Sequence, residues 1–401
     1  VELATLFFLN AAAVGMWSVP FGNVLKAYGY ERIIAYAYAC CGISAFISPM
    51  IVGALADQHI SATKLVRWLA ALAAVFLALT FYGIGQHWRS LWVLTALLVY
   101  AVFAAPVTGL STTIVMARLH EPARQFGPIR AWATLGWMAS GWLVSWGLHA
   151  DTATLSGFAA AATLLLSAAC TYALPDVIPE EPKTGRNWRD IFGLEALGLL
   201  ANRDHRAVFV TAALFNIPMA AFYPYTPMQL RDVGVGNAAA AMTIGQISEL
   251  LTMFFMATLF ARVRLKWVFL GGIAFGIVRY GLCALNSKGW LLAGVSLHGF
   301  AFTLYFITAQ IYLEQRVPAR LRARAQALLA LMITGFGNLI GFLGNGWWKN
   351  ANTVAGVTDW PVFWLGLGGV MAAVFVFFAL SYRGHPRGTA AQRPSSDLSD
   401  G

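Results

Sequence analysis

The 401-residue sequence is short of charge. Asp, Glu, Lys and Arg make up 11% of it, 17 acidic and 27 basic residues, where a soluble domain carries roughly 25%. So few charges cannot cover a water-facing surface of this size, which argues against a soluble enzyme, a nucleic-acid binder or a disordered chain. Cysteine is scarce too. Cys40, Cys41, Cys170 and Cys283 all sit in apolar stretches, without the spacing of a disulfide framework or a zinc site. No metal and no cofactor is expected. His, Asp and Glu inside the apolar segments are too few for an enzyme's constellation, and patterns such as HExxH are missing. Strand-like alternation is also lacking: the run 69–82 is apolar on every face, as suits a lipid-embedded helix and not a barrel strand.

Apolar and aromatic residues are abundant: 59% of the chain is hydrophobic, with 27 Phe, 15 Trp and 13 Tyr. A bilayer-crossing helix needs about 20 mostly apolar residues. Twelve such runs are expected, at 4–26, 33–55, 64–85, 91–117, 126–148, 153–174, 207–230, 238–261, 266–286, 289–313, 324–348 and 361–382. The fold class is therefore an all-α membrane protein. The opening run is too long for a signal-peptide core and reads as the first span.

The longest polar stretch, 175–206, separates six spans from six. It implies an N-terminal six-helix bundle (1–174), a linker (175–206), a C-terminal six-helix bundle (207–383) and a disordered tail (384–401). The linker segment 188–200 has the amphipathic pattern of a helix lying on a membrane face. With both termini cytoplasmic, 19 basic residues fall on the inner side and six on the outer, while Arg130 and Arg279 lie within spans. That is a clear positive-inside bias. It places a multi-pass protein in a bacterial inner membrane, expected as a monomer whose partners are lipid, a small solute and no nucleic acid.

A six-plus-six layout with a central loop is that of the major facilitator superfamily. Gly53, with Asp57 four residues on and Lys64 beyond, resembles that superfamily's loop motif; Arg262 stands at the matching place in the second half. The glycine permits close helix approach, and the aspartate can cap the third span or pair with cations.

Few ionisable groups lie deep in the spans: Glu249 in span eight, Arg279 in span nine, His298 in span ten and Arg130 a few residues into span five. Such groups are costly in the bilayer and usually line a polar pathway or pair with one another. The plainer readings are a structural Glu249–Arg279 pair, a snorkelling Arg130 and a His298 that bonds a neighbouring helix. Helical spacing favours a lined cavity. Arg130, Thr134 and Trp137 share a face, as do Gln246 and Glu249, and His298, Phe302 and Tyr305; Asn10 and Trp17 lie on one side of span one. Aromatics mixed with hydrogen-bonding groups suit a flat polar ring or a sugar, although aromatics at this spacing are also ordinary packing. Gly337 and Gly341 form a GxxxG pair in span eleven, suited to close helix packing.

Several ordered segments resemble the bacterial nucleoside–proton symporter family within that superfamily. They are Pro128-Ile-Arg130-Ala-Trp132-Ala-Thr134-Leu-Gly136-Trp137, Gln246-Ile-Ser-Glu249, Gly193-Leu-Glu-Ala-Leu, Arg322-Ala-Arg-Ala-Gln326, Gly335-Phe-Gly337 and Thr358-Asp359-Trp360. The resemblance implies twelve helices in two pseudo-symmetric bundles, alternating access and proton-coupled import of a nucleoside. It implies substrate contacts from Arg130, Thr134, Trp137, Gln246, Glu249 and Phe302. The placement of Arg130, Glu249, Arg279 and His298 is also similar to that in lactose-permease-like symporters, which makes these four the expected proton-coupling set. Two departures stand out. Thr303 replaces an acidic residue of the family pattern, and the span-seven run from Pro218 to Thr226 offers aromatics where the family offers amides. A sugar or glycoconjugate symporter and a drug or metabolite exporter on the same fold are the competing readings.

Overall fold

A computed structural model describes residues 1–56, 60–119, 121–176 and 194–384. Asp57, the start of the expected amphipathic helix (188–193) and the expected tail from 385 on lie outside the described residues. Among the described residues the chain folds as twelve long helical runs: α1 (Glu2–Ala27), α2 (Ile34–Ala56), α3 (Ala62–Gly85), α4 (Ser90–Met116), α5 (Pro122–Trp142), α6 (Leu155–Ala173), α7 (Arg203–Asp232), α8 (Ala238–Arg262), α9 (Leu265–Ala284), α10 (Lys288–Arg316), α11 (Ala319–Ala351) and α12 (Trp360–Ser381). Eleven are long and apolar enough to cross a membrane. The exception is α5, whose Gln125 and Arg130 lower its hydropathy.

Length and hydropathy explain why these segments are helices: buried in hydrocarbon, a backbone must satisfy its own amides and carbonyls. Side-chain caps mark some of the starts. Ser61 Oγ accepts the Lys64 amide at 3.2 Å, and Asn202 accepts those of Asp204 and His205 at 2.9 and 3.2 Å. Outward-facing Leu166, Phe254, Leu365 and Leu380 remain exposed, as a surface solvated by lipid tails requires.

Several spans are broken in mid-course. In α1 the helix is interrupted between Ser18 and Phe21, where Pro20 stands; in α7 it is interrupted between Met219 and Phe222, just after Pro218. These two breaks occupy matching places in the two halves. Single π-helical turns follow at Leu143–Gly147 after α5, Thr303–Ile307 in α10 and Leu331–Gly337 in α11. Such turns cluster at functional sites in general.

Within the first half α1 packs on α5 and α6, and α3 on α4 and α6; within the second, α7 packs on α11 and α12, and α9 on α12. The halves meet where α2 crosses α11 and α5 crosses α8. The ends of α1 and α7 meet as well, where Asn23 Nδ2 donates to the Pro227 carbonyl at 3.2 Å.

The described chain ends, Val1 and Gly384, and the residues flanking the linker, 171–176 and 194–204, lie at one end. Glu2 touches Cys170 at the end of α6, and the amides of Arg383 and Gly384 donate to Asp204 at the start of α7. At this end Lys64 pairs with Asp176 at 3.2 Å, and Ser61 donates to the same carboxyl at 3.0 Å. Lys64 first and Ser61 second hold the Asp176 carboxyl below the usual carboxylate range. A short 3-10 helix, Leu194–Ala201, docks on α11 through Glu195 and Arg324 at 2.5 Å.

Polar contacts between the halves gather at the opposite end. Lys26 pairs with Asp232 at 3.2 Å, and Lys349 pairs with Glu31. Trp142 Nε1 donates to Thr243 Oγ1 at 3.1 Å, the Ala240 amide to Ser145 Oγ at 2.9 Å and the Ala239 amide to Asp151 at 2.7 Å. Gly141 makes the α5–α8 approach possible, since a Cβ there would meet the Ala239 carbonyl oxygen at 2.7 Å. Among the described residues the halves are thus joined at the end away from Val1 and Gly384.

Candidate functional site

The site lies where α5 of the first half faces α7, α8 and α10 of the second. Arg130 is exposed on α5, with Thr134 one turn on and nearly buried. A further turn brings Trp137, whose ring centre lies 5.5 Å from that of Tyr223 on α7. This aromatic pair spans the two halves. Tyr223 was not among the residues expected to line the site; the only sequence signal for it was the aromatic replacement of amides in span seven.

On α8, Gln246 is buried and its amide nitrogen donates to the Tyr223 hydroxyl at 3.3 Å. Glu249 is half-buried one turn further along the same helix. The helix is held there by α10: the Gly299 amide donates to Ser248 Oγ at 3.1 Å, and a Cβ on Gly299 would fall on the Glu249 backbone nitrogen. Glycine at 299 is what allows the two helices to approach at the level of Glu249.

Behind Glu249 lies a second polar group. Arg279 is wholly buried, and its Nη1 meets His298 Nδ1 at 2.7 Å. Its Nη2 reaches Met219 Sδ at 3.1 Å, and the guanidinium lies over the rings of Phe222 and Tyr280 at 4.7 and 4.5 Å. The His298 ring stacks on Phe222 at 4.0 Å, with Phe302 6.0 Å away on the same helix. Arg279 has no carboxylate partner among the described residues, so the Glu249–Arg279 ion pair is not formed in this conformation.

Three expected site residues are engaged elsewhere. Asn10 donates to Ser111 at 2.9 Å and accepts from Ser167 at 2.6 Å, joining α1, α4 and α6 inside the first half. Trp17 is buried edge-on between Phe21 and Tyr100. Tyr305 is wholly buried against Phe215 and Phe269, and its hydroxyl donates to the Val208 carbonyl at 3.1 Å. Of the loop motif, Gly53 falls within α2 and Arg262 is exposed at the end of α8.

The arrangement gathers, across a seam between two helical halves, one carboxylic acid, cations, amide and phenol groups and several aromatic faces. No metal-ligating cluster occurs among the described residues. Such a seam can hold a flat, polar, uncharged ring by stacking and edge hydrogen bonds, and it can carry a proton on Glu249.

Comparison with known proteins agrees with this layout. A family model described as nucleoside H+ symporter matches residues 1–387. The putative nucleoside transporter YegT of Escherichia coli is 30% identical over 95% of this chain and 93% of its own. The nucleoside permease NupG of the same organism is 28% identical, over 96% and 97%. A crystal structure of the nucleoside transporter NupG superposes with a TM-score of 0.83 at 24% identity, covering 95% of this chain and 98% of that one; it establishes the major facilitator fold. The chain belongs to the nucleoside H+ symporter family.

Proposed function

We propose that this protein imports nucleosides across the cytoplasmic membrane together with protons, by alternating access of one site between its two halves. The observation that carries the reading is Glu249, a carboxyl group midway along α8, one turn from Gln246, whose amide bonds Tyr223 where that ring meets Trp137 of the opposing half. A carboxyl group that is desolvated in one conformation and faces a guanidinium in another gains and loses its proton as the halves rock. Substrate contacts are assigned to Arg130, Thr134, Trp137, Gln246 and Phe302, with Tyr223 added. The family membership and the aromatic-plus-amide character of the seam support a nucleoside over a sugar or a drug.

The basic residues support termini on the cytoplasmic side, 19 against six. In that orientation the closed end is extracellular and the site opens inward. A tenfold proton gradient supplies about 1.4 kcal/mol, and each 100 mV of potential about 2.3 kcal/mol more per charge.

The test uses proteoliposomes with radiolabelled uridine or adenosine. Wild-type protein should accumulate substrate against its gradient when the outside is acidified. Glu249→Gln should keep nucleoside counterflow and lose uphill accumulation; uphill accumulation by that variant would remove Glu249 from the coupling role.

A further inference from the structure

The Arg279–His298 contact fixes the chemistry of one imidazole. A guanidinium only donates hydrogen bonds. At 2.7 Å from Arg279 Nη1, His298 Nδ1 is therefore the acceptor and carries no proton. A neutral ring with a bare Nδ1 carries its hydrogen on Nε2. Protonating Nδ1 would break this bond and set two cations in contact in a buried place.

The remainder of the ring is held equally firmly. Phe222 covers one face, with planes 7° apart, and Tyr223 meets the ring edge-on at 5.8 Å. A Cβ on Gly245 of α8 would stand 3.5 Å from His298 Cδ2. The Cδ2 side of the ring thus borders α8 one residue before Gln246 and about one turn before Glu249. Among the described residues Nε2 has no hydrogen-bond partner, and it is not one of the sealed, unpartnered polar atoms that Arg279 Nε and Thr303 Oγ1 are, so it keeps part of the residue's 3% exposure. A donor placed at this position and left unpaired by protein awaits an acceptor.

We propose that Arg279 is a positioning residue that holds His298 as a neutral donor through Nε2, and that His298 reads a hydrogen-bond acceptor on the nucleoside and does not carry the coupled proton. Arg279 acts through His298 and touches no substrate. The proposal rests on the nucleoside reading above and deepens it. It separates the two members of this pair from the proton-coupling role that the sequence suggested for them, and it leaves that role to Glu249 and Arg130.

Two measurements on the purified full chain test it. The first is the nitrogen NMR spectrum of protein labelled with 15N-histidine, with the His298 signals identified by their loss in His298→Gln. The expected pattern is a neutral ring protonated at Nε2, changing to a mixture of tautomers in Arg279→Gln. A His298 ring protonated at Nδ1, or at both nitrogens, overturns the proposal. The second is equilibrium binding of uridine and adenosine, with uphill accumulation in proteoliposomes. His298→Gln, whose amide nitrogen reaches close to the place of Nε2, should lose less than about threefold in affinity and still accumulate substrate. His298→Asn and His298→Phe should weaken binding about tenfold or more, the scale of one buried hydrogen bond. Unchanged binding in Asn and Phe overturns the donor role. Retained binding with lost accumulation in His298→Gln makes His298 a proton carrier and overturns the proposal as well. Wild-type protein that binds neither nucleoside would sink the substrate reading, while the nitrogen spectrum still judges the tautomer by itself.

Discussion

The carboxylate of Asp151 accepts the backbone amide of Ala239 at 2.7 Å, so a loop of the first half caps the opening turn of α8 in the second. The first amides of a helix have no partner within it, and here they find theirs across the seam, with Ser145 taking the amide of Ala240 beside it. The helix held in this way is the one that carries Gln246 and Glu249. Closure of the end away from Val1 and Gly384 is therefore tied to the placement of the helix that carries these two residues.

Removing this cap should favour opening of that end. Loss of a capping side chain costs about 1 kcal/mol, or about fivefold in a two-state equilibrium. Asp151→Ala should raise the labelling of a cysteine engineered near Trp137 by a reagent confined to the side of the closed end. Labelling equal to that of the parent would show that the cap does not hold the gate.

The same carboxyl should make closure depend on pH. Burial pushes Asp151 up from the usual carboxylate range, against the pull of the Ala239 amide, Ser145 Oγ, Arg231 and the Ala238 amide. A group whose pKa is higher in the closed form contributes to closure fully below its ordinary value, about 3.9. That contribution is lost as pH rises through the raised value. Acidifying the solution at the closed end should thus strengthen closure, and Asp151→Asn should remove the dependence while keeping the cap. The readout is the distance between spin labels on α1 and α7 as a function of pH.

The Lys349–Glu31 pair should be a cross-half lock. Lys349 is 3% exposed, so loss of Glu31 leaves a buried ammonium unpaired, at a cost of about 3–5 kcal/mol in comparable cases. Glu31→Gln should lower the thermal midpoint clearly, and adding Lys349→Met should restore most of it. A double variant as weak as the single one would contradict this.

Gly299→Ala should abolish transport with the fold retained. Its Cβ would fall on backbone of α8 at Glu249, which cannot rotate aside as a side chain would. Overpacking of this kind typically costs about 1–3 kcal/mol and should displace the carboxyl group. Uptake at the parental rate by a variant of normal yield would show the helices to be more yielding than argued.

Asn10→Ala should separate structure from binding. Both ends of this amide are satisfied inside the first half by Ser111 and Ser167. Its removal should destabilise by about 1–3 kcal/mol through the orphaned hydroxyls and leave nucleoside affinity within about twofold. A large loss of affinity with unchanged stability would return Asn10 to the substrate site.

Much of this molecule is legible in its residues. Hydropathy is a local property, and lipid forces any long apolar segment into a helix, so the spans, the six-plus-six layout and the all-α class follow without coordinates. Rarity singles out Glu249, Arg279 and His298 as candidates in the same way, since ionisable groups are costly in a bilayer. Span five shows the limit of hydropathy: it alone of the twelve described runs is not apolar enough to count as a span by composition, and it carries Arg130, Thr134 and Trp137 of the candidate site.

Helix spacing tells which residues share a face, and it leaves open which neighbour that face meets. Tyr305 shares the His298 stripe, yet the π turn at Thr303–Ile307 follows Phe302, and Tyr305 lies in the core of the second half. Asn10 and Trp17 face inward within one bundle. Tyr223 reaches Gln246 and Trp137 because the α7 helix is interrupted just before Phe222. The Arg279–His298 bond and the Asp151 cap join segments 19 and 88 residues apart. Composition and periodicity set the spans and their ionisable contents. The rotation of each helix, and the pairing of groups across the seam, were decided by side-chain packing between segments distant in the chain, which no local pattern encodes.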